Sequence, residues 1–561
     1  MDLMKIPDYV RRKFLVLRGF SRVAVTLGGV NIILVLAGVL GLPVNSSALS
    51  HQMFLSASSE AQSSRLTTGG EVAGVGIGAA SQKESQPTHS AAQAISPDSG
   101  KPRELRPTAA GPSENAGIST HAASASETRR QSRGWLAITR HSVASGMTTA
   151  LFGIVLIMTA YALRHMLFTL SRLFGKQRHP YIDIDDAPWP MITVFIAAHN
   201  EENVIAGCMD ALLNTSYPID RLKIVPVNDR SVDGTRVIID DYVARHPGRI
   251  IPFHRADGKA GKAAALKDAL AYAEGDIAII FDADYVPGRG LLRQLVAPFF
   301  DPEVGAVMGR VVPMNVGTNL LTRMLDLERS GGYQVDQQAR MNLKLVPQYG
   351  GTVGGVRLSA VNAVGGWHDD VLAEDTDITY RLLLNGWKTI YTNRSECYEE
   401  VPEDWRVRIK QIKRWAKGHN QVLARYWYQF LTSPYLSWRE RIDGMLLLLV
   451  FVMPPLLLLG WILALCLYFL DAGDLLTKLI PIFALMAYGT MGNFAAFFQI
   501  VIAVLLDGNR RRLRLLPFNL LGFFVNLFAI SSSVFSLTID YVFKRDMVWE
   551  KTVRYRKPGV E

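Results

Sequence analysis

The sequence predicts an α/β domain with a mostly parallel, Rossmann-like sheet, joined to an α-helical transmembrane region through interfacial helices. Three observations lead there. Long apolar runs at residues 23–43, 143–163, 445–470, 479–506 and 515–543 are each long enough to cross a hydrocarbon core. From Met191 the texture changes to short apolar strands alternating with helical patterns, the mark of a sheet flanked by helices. Between this domain and the last apolar runs lies a basic amphipathic segment.

The first two runs predict transmembrane helices at 23–43 and 141–164. Lys5, Arg11, Arg12, Lys13, Arg18 and Arg22 precede the first; Arg164, Arg172, Lys176 and Arg178 follow the second. Positive flanks stay on the cytoplasmic side, so 1–22 is a cytoplasmic basic terminus and the two helices form an out-and-back pair. A cleaved signal peptide is the rival reading of 23–43, since Asn45-Ser-Ser-Ala-Leu-Ser could hold a cleavage site. Residues 44–133 are dominated by Ala, Ser, Gly, Thr and Pro with few aromatics, which predicts a disordered loop on the outer side.

The α/β domain is expected over 185–400. Its strands read at 191–198, 223–228, 250–254, 277–281 and 306–312, and its helices at 202–213, 232–245, 262–273 and 375–384. Across 403–440 the pattern is that of helices lying in the headgroup plane: Trp405, Ile409, Ile412 and Ala416 recur at helical spacing among Arg406, Arg408, Lys410, Lys413, Arg414 and Lys417. The apolar runs of 444–543 form a transmembrane or re-entrant region, followed by a basic tail over 544–561. Lys544, Arg545, Lys551, Arg554, Arg556 and Lys557 favour a cytoplasmic tail, so one of the three runs should not cross. Asn526 and Ser531-Ser532-Ser533 single out the last run as the broken one.

The net charge of +10 raises the question of nucleic acid. The basic residues cluster beside apolar runs, which membrane orientation explains, so no nucleic-acid partner is expected; the partner is the bilayer. Cys208, Cys397 and Cys466 form no Cys-x-x-Cys pair, which excludes a zinc site or disulfide framework by spacing and suits a reducing compartment.

Chemistry-bearing residues fall at strand ends. Asp282-Ala-Asp284 closes the run Ile277-Ala-Ile279-Ile280-Phe281, where two carboxylates offer oxygen ligands to a hard divalent cation. A lone Asp-x-Asp is expected by chance in a chain this long, so its neighbours decide. The first strand ends in Ala198-His199-Asn200-Glu201, and the second in Asn228-Asp229, whose carboxylate suits the N–H of a nucleobase or a ribose hydroxyl. Asp257-Gly258-Lys259-Ala260-Gly261-Lys262 brings a glycine turn, a helix start and the positive charge of Lys262 to a diphosphate, without Walker spacing. Glu374-Asp375 opens a helix, as a cap or as a general base; Asp375 is the base selected.

In this order the motifs resemble those of processive family 2 glycosyltransferases, the GT-A-fold group with cellulose, hyaluronan, chitin-oligosaccharide and poly-N-acetylglucosamine synthases. The shared features are Asp229, Asp282-x-Asp284, Glu374-Asp375 and Gln411-x-x-Arg414-Trp415. The resemblance implies a nucleotide-sugar site in which Asp229 holds the uracil, Lys262 the diphosphate, and Asp282 and Glu201 contribute to donor binding. Asp284 would ligate Mg²⁺ or Mn²⁺, Asp375 would act as base beside Glu374, and Gln411, Arg414 and Trp415 would border acceptor and pyrophosphate. Trp549, Thr552 and Arg554 resemble the family's cytoplasmic gating element, more loosely.

The implied activity is inverting, processive polymerisation of UDP-glucose or UDP-N-acetylglucosamine into a β-linked polysaccharide at the plasma (inner) membrane, with a cytoplasmic catalytic domain. Its partners would be the nucleotide sugar, the growing polysaccharide, the bilayer and export or accessory subunits. One alternative is a single transfer to a lipid acceptor; another is a transporter with a nucleotide-binding regulatory domain. Two departures stand out. Tyr349-Gly350-Gly351-Thr352 replaces the family's Cys-Gly or Ser-Gly, and Ala373 stands where cellulose synthases have Thr.

Overall fold

A computed structural model describes residues 116–179, 187–470, 495–543 and Tyr555. The chain divides into two compact units, 1–140 and 141–561. The run at 23–43 lies outside the described residues. Helix α1 spans Ala116–Phe174, with its membrane-length apolar part at Thr139–Phe174. Residues 116–133, expected as unstructured loop, are thus helical. Their alanines are strong helix formers, and no proline interrupts them.

The α/β domain runs in order through β1 (Ile192–Ala198), α2 (Ile205–Leu213), β2 (Leu222–Asp229), α3 (Thr235–Arg245), β3 (Phe253–Arg255), α4 (Lys262–Ala269), β4 (Ile277–Asp282), β5 (Val286–Pro287), α5 (Leu291–Val296), β6 (Val304–Pro313) and α6 (Leu320–Ser330). A π-helical turn, Gly331–Gln337, leads into α7 (Gln338–Leu343). Then come β7 (Gly354–Arg357), α8 (Leu358–Ala363), α9 (Glu374–Leu384) and β8 (Lys388–Glu399).

The sheet order is β3-β2-β1-β4-β7-β6-β8-β5. Strands β1, β2, β3 and β4 are parallel, as is β6 with β8, whereas β7 runs antiparallel to β4 and β6, and β5 to β8. The sheet is therefore mixed but mostly parallel, as expected: β1, β2, β3, β4, β6 and β8 run in one direction, and β5 and β7 oppose them. Alternation along β1 sends Ile192, Val194 and Ile196 into one core and Phe195 into the core on the other face. Strands covered on both faces read as continuous apolar runs, which is why β1, β2 and β4 were visible in the sequence.

β7 was not, because it is built of Gly-Gly-Val-Arg. A Cβ on Gly355 would lie 2.6 Å from Ile279 Cδ1 and 2.9 Å from Phe299 Cε2, so glycine is what allows the sheet to close under those side chains. β8 was hidden by polarity: Thr389 and Thr392 are buried, and Glu399 accepts from Tyr285 and Arg329.

Beyond the sheet, α10 (Trp405–Thr432) is a single helix of 28 residues, followed by α11 (Trp438–Leu448), α12 (Met453–Phe469), α13 (Ala495–Leu506) and α14 (Asn519–Val542). The apolar stripe of α10, expected to face headgroups, is covered instead by α14: Ile412 and Ala416 pack on Ala529 and Ile530. Lys417 pairs with Asp540 at 2.7 Å.

Two described helices are long and apolar enough to cross a membrane, Thr139–Phe174 and Arg510–Val542. A third candidate is the pair Trp438–Phe451 and Met453–Phe469, bent by 68°. The break expected in the last run lies here instead. Pro454 and Pro455 lack the N–H groups a helix interior needs, so they sit in the first turn of a new helix. Within α14, Ser531 and Ser532 donate to the carbonyls of Leu527 and Ala529, and Ser533 donates to Lys413 on α10, so the hydroxyls are satisfied without breaking the helix.

Candidate active site

A cavity of about 490 Å³ opens at the carboxyl ends of β1, β2 and β4. The chain passes from β1 outward through β2 and β3, then crosses back to β4, so this is the switch point where open α/β sheets bind ligands. Asp229, the last residue of β2, is buried. It accepts from Arg230 Nε at 2.9 Å, Arg255 Nη1 at 3.0 Å and the Gly261 amide at 3.1 Å. Burial favours its neutral form, but these donors outweigh it and hold the carboxyl below its ordinary range. Arg255 is itself buried and also donates to Asp268, which fixes the orientation of Asp229. Glu201 lines the same cavity, and its backbone N–H donates to the hydroxyl of Thr235, at the start of α3.

At the end of β4, the Asp282 amide donates to Thr352, which explains one residue of the unusual Tyr349-Gly350-Gly351-Thr352 turn: it braces the carboxylate loop. Lys262, first in α4, places its Nζ 2.5 Å from Asp282 Oδ1. Burial alone would discharge this lysine, yet Asp282, Glu374 and Asp375 together raise its pKa, so it stays cationic. Asp284 is 2% exposed.

Among the described residues no group of three or more His, Cys, Asp or Glu side chains is arranged to enclose a metal ion. An Mg²⁺ or Mn²⁺ ion bound with substrate takes one or two carboxylates and completes its shell with phosphate oxygens and water. Asp282 and Asp284 beside a cationic lysine fit that donor set.

The Glu374-Asp375 pair opens α9 and lines the same cavity. Burial raises the pKa of both carboxyls, each opposed by Lys262 and Arg414. A carboxylate made more basic in this way is suited to taking a proton near neutral pH. The loop before it is clamped by α10. Gln421 accepts from the Leu372 amide at 3.0 Å, and a Cβ on Gly418 would lie 2.5 Å from Ala373 Cβ. Gly418 thus permits the close approach, and Ala373, the departure noted in the sequence, is the small residue that meets it. Gly418→Val should push helix and loop apart, costing about 1–3 kcal/mol of stability and lowering transfer far more than nucleotide binding; thermal denaturation and nucleotide titration check this.

Gln411, Arg414 and Trp415 line the cavity from α10. Two guanidinium groups lie near the Trp415 ring, Arg329 at 5.4 Å and Arg408 at 5.3 Å from its centroid, and help to fix it. Arg408 donates to Gln411 at 2.9 Å and bridges both oxygens of Glu328. Arg329 is held by Glu399, which also accepts from Tyr285 at 2.8 Å. Since Tyr285 follows Asp284, a chain of polar contacts links the carboxylate loop to the tryptophan.

One cavity therefore collects Glu201, Asp229, Lys262, Asp282, Asp284, Glu374, Asp375, Gln411, Arg414 and Trp415. Trp549, Thr552 and Arg554 lie outside the described residues; nearby Tyr555 donates its backbone N–H to Glu400, which lines the cavity. Sequence reasoning missed Arg255, Tyr285, Arg329, Glu399, Gly418 and His419. Only the last two carried a signal: they follow Arg414 and Trp415 by four residues, one helical turn on.

Comparison with known proteins agrees with this geometry. Residues 190–418 match the model described as "Glycosyltransferase like family 2". The "Probable glycosyltransferase YdaM" of Bacillus subtilis (strain 168) is 28% identical over 378 residues, 66% of this chain and 88% of that protein. "Beta-monoglucosyldiacylglycerol synthase" of Synechocystis sp. is 32% identical over 261 residues, 46% of this chain and 54% of its own. "Glucomannan 4-beta-mannosyltransferase 7" of Arabidopsis thaliana is 27% identical over 348 residues, 60% of each chain. The chain thus spans little more than half the length of the last two. Among solved structures, a mannosyltransferase from Pyrobaculum calidifontis in complex with GDP-Man and Mn2+ aligns with a TM-score of 0.46 and 23% identity, over 65% of this chain and 98% of that one. With the carboxylates at the strand ends and the family match over the same residues, the chain carries a family 2 glycosyltransferase domain of the GT-A fold and is a hexosyltransferase.

Proposed function

We propose that the chain is an inverting, processive membrane glycosyltransferase that polymerises a nucleotide-activated sugar into a β-linked polysaccharide. The observation that carries this reading is the continuity of the cavity, which runs from Asp229 past Asp375 and Trp415 to Leu447 and Phe451, at the bend of the apolar helix pair. A growing chain leaving Trp415 would enter the helical region directly. The name of the Arabidopsis relative, a β-mannosyltransferase for glucomannan, supports a β-linked polymer.

In this reading Asp229 receives the nucleobase of a uridine diphosphate sugar, glucose or N-acetylglucosamine, and Trp415 stacks on the terminal acceptor sugar. The acceptor hydroxyl oxygen bonds to C1 as the bond from C1 to the diphosphate breaks, and Asp375 takes the hydroxyl proton. Lys262 and Arg414 face the charge that develops on the leaving diphosphate. Asp284 beside Asp282 would hold a divalent cation, which would supply further neutralisation there when bound. The catalytic domain would lie on the cytoplasmic side of the plasma (inner) membrane.

A second reading is a single transfer to a lipid acceptor. It is favoured by the 32% identity to a relative named as a monoglucosyldiacylglycerol synthase. Washed membranes given a panel of labelled nucleotide sugars, followed by linkage-specific hydrolases, test the assignment. Label from one donor in material cut by a β-specific hydrolase is expected; label removed only by an α-specific hydrolase contradicts inversion.

A further inference from the structure

His419 lies one helical turn beyond Trp415 on α10 and lines the cavity. Its Nε2 is 3.1 Å from the hydroxyl of Thr376. Thr376 follows Asp375 and gives it two hydrogen bonds, from its amide at 2.6 Å and its hydroxyl at 3.3 Å, both to Oδ1. Gln348 also donates its amide to that hydroxyl oxygen, at 3.0 Å.

Proton accounting then assigns the imidazole tautomer. The Thr376 hydroxyl has one proton, which goes to Asp375, so its oxygen accepts from Gln348 and from His419. His419 therefore carries its proton on Nε2, and Nδ1 presents a lone pair. The 3.5 Å between Gln348 Nε2 and His419 Nε2 fits two donors sharing one acceptor rather than a bond between them.

Nδ1 is buried and makes no hydrogen bond among the described residues. The ring is held edge-on against Phe451, with centroids 4.8 Å apart. Burial drives the imidazole pKa down to about 4, so the ring is neutral at physiological pH. A buried neutral acceptor on the wall of a binding cavity is costly unless a donor from the ligand meets it.

We infer that His419 positions the acceptor: its Nδ1 accepts a hydrogen bond from a hydroxyl of the acceptor other than the one that attacks, so the site takes a polyhydroxylated carbohydrate end in preference to a monohydric lipid alcohol. This rests on the transferase reading of the same cavity. Through Thr376 the imidazole is tied to the candidate base, which places the recognised hydroxyl and the reacting one in a common frame.

The test uses the full-length enzyme in detergent, with the donor chosen by the labelled panel and two acceptors, octyl β-glucoside and 1,2-dioleoylglycerol. The wild type should transfer preferentially to the glucoside. His419→Phe keeps an aromatic ring against Phe451 but removes the lone pair, and should raise KM for the glucoside about tenfold with the donor KM unchanged. His419→Asn, whose amide oxygen can stand near the Nδ1 position, should recover most of that loss. Equal effects of His419→Phe on kcat and donor KM, with the glucoside KM unchanged, would make the residue structural and overturn the inference. Preferential wild-type transfer to dioleoylglycerol would overturn it as well. Absence of transfer from every donor to either acceptor overturns instead the transferase reading beneath it, and the two failures are distinct.

Discussion

Replacing Asp375 by Asn is expected to lower sugar transfer about 10²- to 10⁴-fold, the range a positioned general base contributes, while nucleotide binding persists. The amide keeps the side chain's shape and can still accept from Thr376, but it cannot take a proton from the acceptor. The pH profile should agree. As a base Asp375 would act only when ionised, and burial has raised its pKa, so the acid limb of kcat/KM should lie above the ordinary carboxylate range, with activity lost as pH falls through it. Thr376→Val removes one of the hydrogen bonds that favour the ionised form and should move that limb further up. An acid limb at the ordinary carboxylate position, or robust transfer by the Asn variant, would remove Asp375 from the role.

The second large effect is expected at Asp284. Asp284→Asn should reduce transfer by about 10³-fold, since a cation at the leaving group supplies several kcal/mol of transition-state stabilisation. It should also abolish the enhancement of nucleoside diphosphate binding by Mn²⁺ or Mg²⁺, and chelation should reproduce the loss in the unmodified enzyme. Asp282→Asn differs: it removes the partner of Lys262 at 2.5 Å, so nucleotide affinity itself should change even without cation. If both variants bind nucleotide with full cation dependence, the carboxylate pair is not the metal centre.

How much of this was legible follows from the range of the interactions involved. β1, β2 and β4 were visible because a buried parallel strand needs only its own run of apolar residues, and Asp229 and Asp282 were placed by ending such strands. Glu374-Asp375 and Gln411-x-x-Arg414-Trp415 were likewise local patterns. What brings them together is not local. Gly418 against Ala373, Arg329 beside Trp415, and Arg255 behind Asp229 join segments tens of residues apart, and none has a pattern of its own. The same limit explains α10: its amphipathic stripe announced an apolar partner but not whether lipid or α14 would provide it. In α14 the serines suggested a break, yet each hydroxyl donates to a backbone carbonyl, and the prolines after Val452 mark the bend.

The central claim is that transfer is repeated on a retained product within one cavity that leads to the helical region. It is tested most directly by the size of the product made in washed membranes under limiting enzyme, with labelled donor and a chase of unlabelled donor. Repeated addition predicts that label appears early in long, water-soluble or insoluble β-linked chains and is chased into longer ones, while short intermediates stay scarce. Label confined to a single sugar on an organic-extractable lipid, unchanged in size by the chase, would contradict the account and leave a one-step lipid glycosyltransferase in its place.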